Sequence, residues 1–166
     1  MARRTRLLTR KRITVLSAVA VIGLVAAVAA VAAVSRSAPI SKFDGVDEIV
    51  EACTTTKTFA TIPQMTRTFT LGGSVNDEAV AMFQGSFSLD DSGGTFDTGF
   101  IRLTIDGVQQ SPGVVPAIAP GERGTHGFNW QTRPLAPGSH TARVQWRTDL
   151  GGRLCVDARS LIVLHK

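Results

Sequence analysis

The stretch FIRLTID, residues 100–106, alternates apolar and polar side chains from its second residue onward. Ile101, Leu103 and Ile105 lie on one side of an extended chain, and the intervening arginine, threonine and aspartate lie on the other. This period of two is typical of a β-strand with one buried and one wet face. The stretch SHTARVQWRT, residues 139–148, shows the same alternation. We therefore predict two amphipathic strands that share one core.

Further runs of β-branched and aromatic residues, separated by Gly, Pro, Asn and Asp, continue the pattern. They lie at residues 57–62, 67–71, 79–89, 126–132 and 160–165. Short strands at this spacing, with little helical periodicity, favour an all-β fold over an α/β fold. We predict a single antiparallel β-sandwich, jelly-roll-like, over residues 44–166.

The start of this domain shows a different spacing. Asp44 is a residue type that caps helices. One face of a short helix would then carry Val46, Ile49, Val50 and Cys53. We predict about two turns of helix here, ahead of the first strand.

Two further stretches are RLTIDG at residues 102–107 and LAPGSHTARV at residues 135–144. Together they resemble a sequence pattern of jelly-roll and sugar-binding sandwiches, in which one strand ends in Asp-Gly and another begins with Leu-x-x-Gly-x-His. The resemblance implies sandwich architecture and carries no ligand residues with it.

An apolar run at residues 13–34 contains no charged side chain and follows six basic residues. At about 1.5 Å per residue it makes a helix of roughly 33 Å, which spans a hydrocarbon core of about 30 Å. We predict a cytoplasmic tail at 1–12, a transmembrane helix or signal segment at 13–34 and a linker at 35–43. The basic excess before the run places the N-terminus inside and the C-terminal domain outside.

The alternative to an anchor is a cleaved signal peptide. Sites of small residues suited to cleavage lie at Ala30-Val31-Ala32 and Ala33-Val34-Ser35. We expect a single-pass protein of the cell membrane that contacts the bilayer through residues 13–34, with secretion after cleavage as the alternative. The excess of Arg over Lys and the abundance of Ala favour a bacterial source.

The charge of the chain is unevenly distributed. Six of its 18 basic residues precede Ile13, whereas all 13 acidic residues follow Val34. The outer domain is therefore close to neutral, and we expect no nucleic acid partner.

Cys53 and Cys155 are the two cysteines, near the two ends of the predicted domain. Thiols usually oxidise outside the cytoplasm, so we predict a disulfide between them. Closing a loop of about 100 residues would stabilise the fold by roughly 4 to 5 kcal/mol on chain-entropy grounds.

Catalytic motifs are lacking in the sequence, and its three histidines show no metal-ligand spacing. We expect no cofactor and no enzymatic activity, with an extracytoplasmic hydrolase as a remote alternative. His140 follows a Pro-Gly-Ser turn, where it is expected to form a hydrogen bond to that turn.

Three groups of residues are candidates for ligand binding. Asp90, Asp91 and Asp97 could bind Ca²⁺, and the alternative is an ordinary solvated turn. Arg143 and Arg147 could bind an acidic polymer, and the alternative is a salt-bridged sheet surface. Trp130 and Trp146 could stack on sugars, although the alternation of their strands places both with core residues.

The sequence thus predicts a membrane-anchored extracytoplasmic β-sandwich with a binding or structural role at the bacterial cell envelope. Its partner would be an envelope protein or a glycan. The alternative is a secreted carbohydrate-binding module.

Overall fold

A computed structural model describes residues 40–90, 97–119 and 121–166 of the chain. These residues form β1 (Lys42–Glu48), β2 (Ala52–Thr54), β3 (Ala60–Leu71), β4 (Val80–Asp90), β5 (Gly99–Ile105), β6 (Val108–Gln109), β7 (Val115–Ile118), β8 (Arg123–Gln131), β9 (Gly138–Thr148) and β10 (Arg153–His165). Within these ranges there is no helix of the length and hydropathy needed to cross a membrane. The predicted segments 1–12 and 13–34, most of the linker 35–43, and Asp91 lie outside the described residues.

The strands form two five-stranded sheets, and every strand pair is antiparallel. Sheet A has the order β1-β10-β4-β8, with β2 also paired to β10. Sheet B has the order β3-β9-β5-β6, with β7 also paired to β5. The predicted all-β antiparallel sandwich is therefore confirmed.

The core lies between the sheets and is built by the alternation seen in the sequence. Ile101, Leu103 and Ile105 of β5 are buried, as their spacing predicts. Their largest fully buried companions are Trp130, Phe69, Phe83 and Phe87. Burying one such side chain contributes about 1.5 to 3 kcal/mol, so the inner faces of the two sheets hold the sandwich together.

The predicted helix after Asp44 is wrong. Residues of β1 instead pair along their whole length with β10, from Lys42 opposite His165 to Glu48 opposite Arg159. Seven consecutive cross-strand pairs outweigh a short helical spacing, because an isolated helix of two turns is unstable in water.

The predicted strands 57–62 and 67–71 belong largely to one long strand, β3. Its pairing with β9 is interrupted between Thr61 and Thr66. The carbonyl of Pro63 in this interruption accepts hydrogen bonds from Nε and one terminal nitrogen of Arg159, both at 3.2 Å. A buried guanidinium therefore fastens the irregular part of β3 to β10 in the opposite sheet.

The predicted disulfide is confirmed. Cys53 of β2 lies directly opposite Cys155 of β10, and their sulfur atoms are bonded. The bond links residues 102 positions apart, so it ties the beginning of the domain to its last strand.

The sandwich has two distinct ends, which we call proximal and distal. The proximal end is where β1 begins; there His165 Nε2 lies 2.9 Å from Asp44 Oδ2 and its ring is 5.4 Å from that of Phe69. The distal end holds the disulfide and Gly99, whose position against Leu154 leaves no room for a Cβ atom. Along β10 the two ends are about 35 Å apart, at about 3.3 Å per residue.

Candidate binding face

The outer face of sheet B gathers arginines from neighbouring strands. In the β5–β9 ladder Phe100 is opposite Arg147, and Thr104 is opposite Arg143. Arg102 lies between them, opposite Gln145. Because residues directly opposite share a face, three guanidinium groups project from one surface of about two strands' width.

Phenylalanine rings cover two of these guanidinium groups. Arg102 Cζ lies 4.1 Å from the centroid of Phe59, which directly precedes β3. Arg147 Cζ is 5.4 Å from the same ring and 4.6 Å from the ring of Phe100. We call Phe59, Phe100, Arg102 and Arg147 the Arg–Phe cluster. Each cation–π contact contributes about 0.5 to 1 kcal/mol at an exposed site, so the rings favour these positions of the two guanidinium groups.

The remaining partners of these arginines leave positive charge uncompensated. Arg102 Nε donates to Gln145 Oε1 at 2.9 Å, and this partner is neutral. Arg147 alone of the three pairs with a carboxylate, that of Asp149 at 2.9 Å. Among the residues that the structure describes, neither Arg102 nor Arg143 forms a salt bridge. The salt-bridged interpretation therefore applies to Arg147, and the face keeps a net positive charge.

His140 lies near the proximal end of β9, with its ring 5.6 Å from that of the buried Phe69. Its Nδ1 lies 2.7 Å from Asp106 Oδ2, and its Nε2 lies 2.7 Å from the carbonyl oxygen of Ala136 in the preceding turn, as predicted. Both partners are acceptors, so both bonds together require the imidazolium form. Burial lowers the pKa of His140, but these two bonds outweigh it and raise the pKa above its usual value.

The pKa of Asp106, whose carboxylate contacts His140, shifts in the opposite direction. Burial raises the pKa of Asp106, but the bonds from His140 and from the N–H of Thr141 outweigh it, so the pKa lies below its usual range. The positive charge of Arg143 lowers it further. The opposite charges of His140 and Asp106 thus largely compensate each other, although Asp106 is also close enough to interact with Arg143.

Asp97, one of the calcium candidates, is fully buried and serves the backbone. Its Oδ1 accepts hydrogen bonds from the N–H groups of Thr98, Asp149 and Leu150 at 2.7 to 2.9 Å. Its Oδ2 accepts one from Gly152. Burial raises the pKa of Asp97, but these four bonds outweigh it and hold the pKa below its usual range. The carboxylate therefore fixes the β9–β10 loop, while Asp90 lies exposed at the end of β4.

The two tryptophans are core residues. Trp130 and Trp146 are 1% and 2% exposed, and Trp130 Nε1 donates to the carbonyl of Gly113 at 3.4 Å. Neither ring offers a face to a sugar. The half-buried aromatic rings on the outer surface of sheet B are Phe59 and Phe100, which sequence reasoning missed. Phe100 was visible as an outward position of FIRLTID, whereas nothing local indicated that Phe59 meets Arg102.

Two histidines meet carboxylates, but in separate places. His140 contacts Asp106 and His165 contacts Asp44, on either side of Phe69. A hydrolytic triad needs its base and carboxylate beside a nucleophile in one cleft. His165 is 2% exposed and His140 has both ring nitrogens occupied, so this arrangement stabilises the fold.

No protein-family model and no curated protein matches the chain. Among solved structures it is similar to VP2 of infectious bursal disease virus, at 12% identity and a TM-score of 0.47, over 75% of this chain and 32% of that one. A family 35 carbohydrate-binding module from Clostridium thermocellum matches at 12% identity and a TM-score of 0.35, over 71% of this chain and 97% of that one. The sugar-binding C-terminal domain of EclA matches at 9% identity and a TM-score of 0.38, over 75% of this chain and 81% of that one. These similarities are too distant to indicate a ligand.

Proposed function

We propose that this protein is a membrane-anchored extracytoplasmic module that binds an acidic glycan polymer of the bacterial cell envelope through the outer face of sheet B. It is not an enzyme on this proposal, and residues 13–34 hold it in the membrane with the sandwich outside. We also propose that the sandwich is jelly-roll-like. The strand orders β1-β10-β4-β8 and β3-β9-β5 support this.

The observation that carries the proposal is the Arg–Phe cluster together with Arg143. Guanidinium groups bind carboxylate and phosphate groups through two parallel N–H donors, and this geometry requires a fixed guanidinium plane. The contacts with Phe59 and Phe100 favour one position for each of the Arg102 and Arg147 guanidinium groups before any ligand arrives. An acidic polymer carries charges at regular intervals and so engages several arginines at once, which compensates for the weakness of single exposed ion pairs.

The surroundings favour a glycan over a compact acidic protein. Gln109 and Gln145 flank Arg102 and offer amide groups that can form hydrogen bonds with hydroxyl groups. The exposed parts of the phenylalanine rings offer apolar surface to a sugar face. An extended chain of charged sugars would lie across the strands and contact all of these groups.

Binding of the full chain in lipid nanodiscs to polygalacturonate tests the proposal, with neutral dextran as the reference polymer. We expect binding to polygalacturonate that weakens with salt, and none to dextran. The double variant Arg102→Gln/Arg143→Gln should bind about tenfold more weakly, a loss of about 1.4 kcal/mol.

The matched control is Arg123→Gln/Arg153→Gln. It removes the same charge from sheet A, where Arg153 is 57% exposed and 3.7 Å from Glu51. Equal weakening by both double variants would show that net charge alone attracts the polymer, and the proposed face would be wrong. Equal binding to dextran would instead favour the alternative of a module for neutral carbohydrate.

A further inference from the structure

The outer face of sheet A carries an apolar surface at the proximal end. In the first cross-strand row Leu164 lies between Phe43 and Val80, and in the second row Ile162 lies beside Met82. We call these five residues the apolar ladder. Phe43 is 74% exposed and Met82 is 41% exposed, although a strand residue facing solvent is usually polar.

The ladder is confined to the proximal end. In the third row Asp47 lies opposite Ser160, which in turn lies opposite Gln84, so the face becomes polar within two residues along each strand. An apolar surface with a sharp polar border marks a contact with another apolar phase or molecule.

The position of the ladder in the chain indicates what covers it. Phe43 follows the predicted membrane span 13–34 by only nine residues. Even fully extended, these residues reach about 30 Å, so a domain attached to the span cannot move far from the bilayer.

The size of the ladder argues against a second copy of the chain as its occupant. Only two of its five side chains are exposed and the other three are half-buried, so the ladder falls well short of the area of about 800 Å² that a stable interface buries on each partner. Insertion into a bilayer needs less area, because an apolar face sinks only about 5 to 10 Å below the headgroups.

We propose that the apolar ladder docks on the outer leaflet of the membrane that residues 13–34 span. This proposal rests on the membrane anchor in the proposed function but not on its glycan partner. Docking turns the outer face of sheet A toward the lipid, and the Arg–Phe cluster on the opposite face of the sandwich then points away from the membrane.

The test places a fluorescent reporter in the ladder. Phe43→Trp in the full chain is reconstituted into phosphatidylcholine–phosphatidylglycerol vesicles, with and without brominated acyl chains. The signal of the buried Trp130 and Trp146 is subtracted with the wild-type chain as blank. The matched control is Leu150→Trp, which sits in the distal β9–β10 loop at 50% exposure.

We expect brominated lipid to reduce the emission of the reporter at position 43 about twofold and to leave that at position 150 unchanged. Flotation of the vesicles shows separately whether the chain is anchored. An anchored chain whose reporter at position 43 is not quenched overturns the docking and leaves the anchor intact. A blue-shifted reporter that responds to protein density and not to bromine means a second copy covers the ladder, which also overturns it. A chain that does not float overturns the anchor and the docking together.

Discussion

Asp97→Asn offers a direct measure of what a buried carboxylate contributes to this sandwich. The carboxylate accepts four backbone hydrogen bonds from the residue after it and from the β9–β10 loop. Asparagine retains one carbonyl oxygen for three of these donors, but its amide group faces the N–H of Gly152 with a second donor. Asparagine is nearly the same size, so the substitution changes the charge and one acceptor while packing is preserved.

The magnitude follows from the hydrogen bonds. A bond to a charged group contributes about 1.5 to 3 kcal/mol, against about 1 kcal/mol for a neutral one, and a buried donor left unpaired costs about 1 to 3 kcal/mol. Because bonds to a single carboxylate are not additive, we expect a total loss of about 3 kcal/mol. For a domain of this size that lowers the Tm by roughly 10 °C.

The assay is thermal unfolding of the full chain in detergent micelles, followed by near-ultraviolet circular dichroism of the two buried tryptophans. The control is Asp149→Asn in the same loop, whose exposed carboxylate pairs with Arg147; this variant should change stability by less than about 1 kcal/mol. Equal effects of the two variants would refute the reasoning. A rise in the wild-type Tm on addition of Ca²⁺, abolished by Asp97→Asn, would show that the carboxylate binds metal after all.

The stability of the protein at acidic pH gives a second test of the role of the Asp97 carboxylate. The pKa of Asp97 is lowered in the folded state, so its contribution to stability is present above the ordinary pKa of 3.8. It is lost as the pH falls through the lower folded value. Asp97→Asn should therefore lose less stability than the wild type on acidification.

Two other perturbations test the framework around the binding face. Arg159→Met removes a buried guanidinium that donates hydrogen bonds to the carbonyls of Pro63 and three other residues. We expect the free energy of unfolding, measured with denaturant, to fall by about 3 kcal/mol. An unchanged midpoint would mean that water replaces the guanidinium at these carbonyls. The pKa of His140 is raised on folding, so the stability from its bond to Asp106 is fully present below about pH 6.5 and is lost as the pH rises through the folded value. Between about pH 5.5 and pH 8.5 the wild type should therefore lose more stability than Asp106→Asn, and parallel pH profiles of the two proteins would contradict this assignment.

Local patterns in the sequence were sufficient for most strands and for the disulfide. The alternation in FIRLTID and in residues 139–148 reports the pleat of one strand, because the side-chain period of an extended chain is a property of its own backbone. The same alternation placed Trp146 in the core, where it is found. The pairing of Cys53 with Cys155 needed only their number, since two cysteines allow one intramolecular bond.

Only the tertiary structure decided the nature of residues 42–48. The spacing of Val46 with the apolar residues that follow it, Ile49, Val50 and Cys53, also fits a short helix. The strand forms because β10, more than 110 residues later, offers a complete ladder of partners. The binding face has the same origin: Phe59, Arg102 and Arg147 meet because the order β3-β9-β5 sets three distant segments side by side. The period of a strand is local and can be predicted from residues close in sequence, whereas the contacts between strands depend on which segments become neighbours.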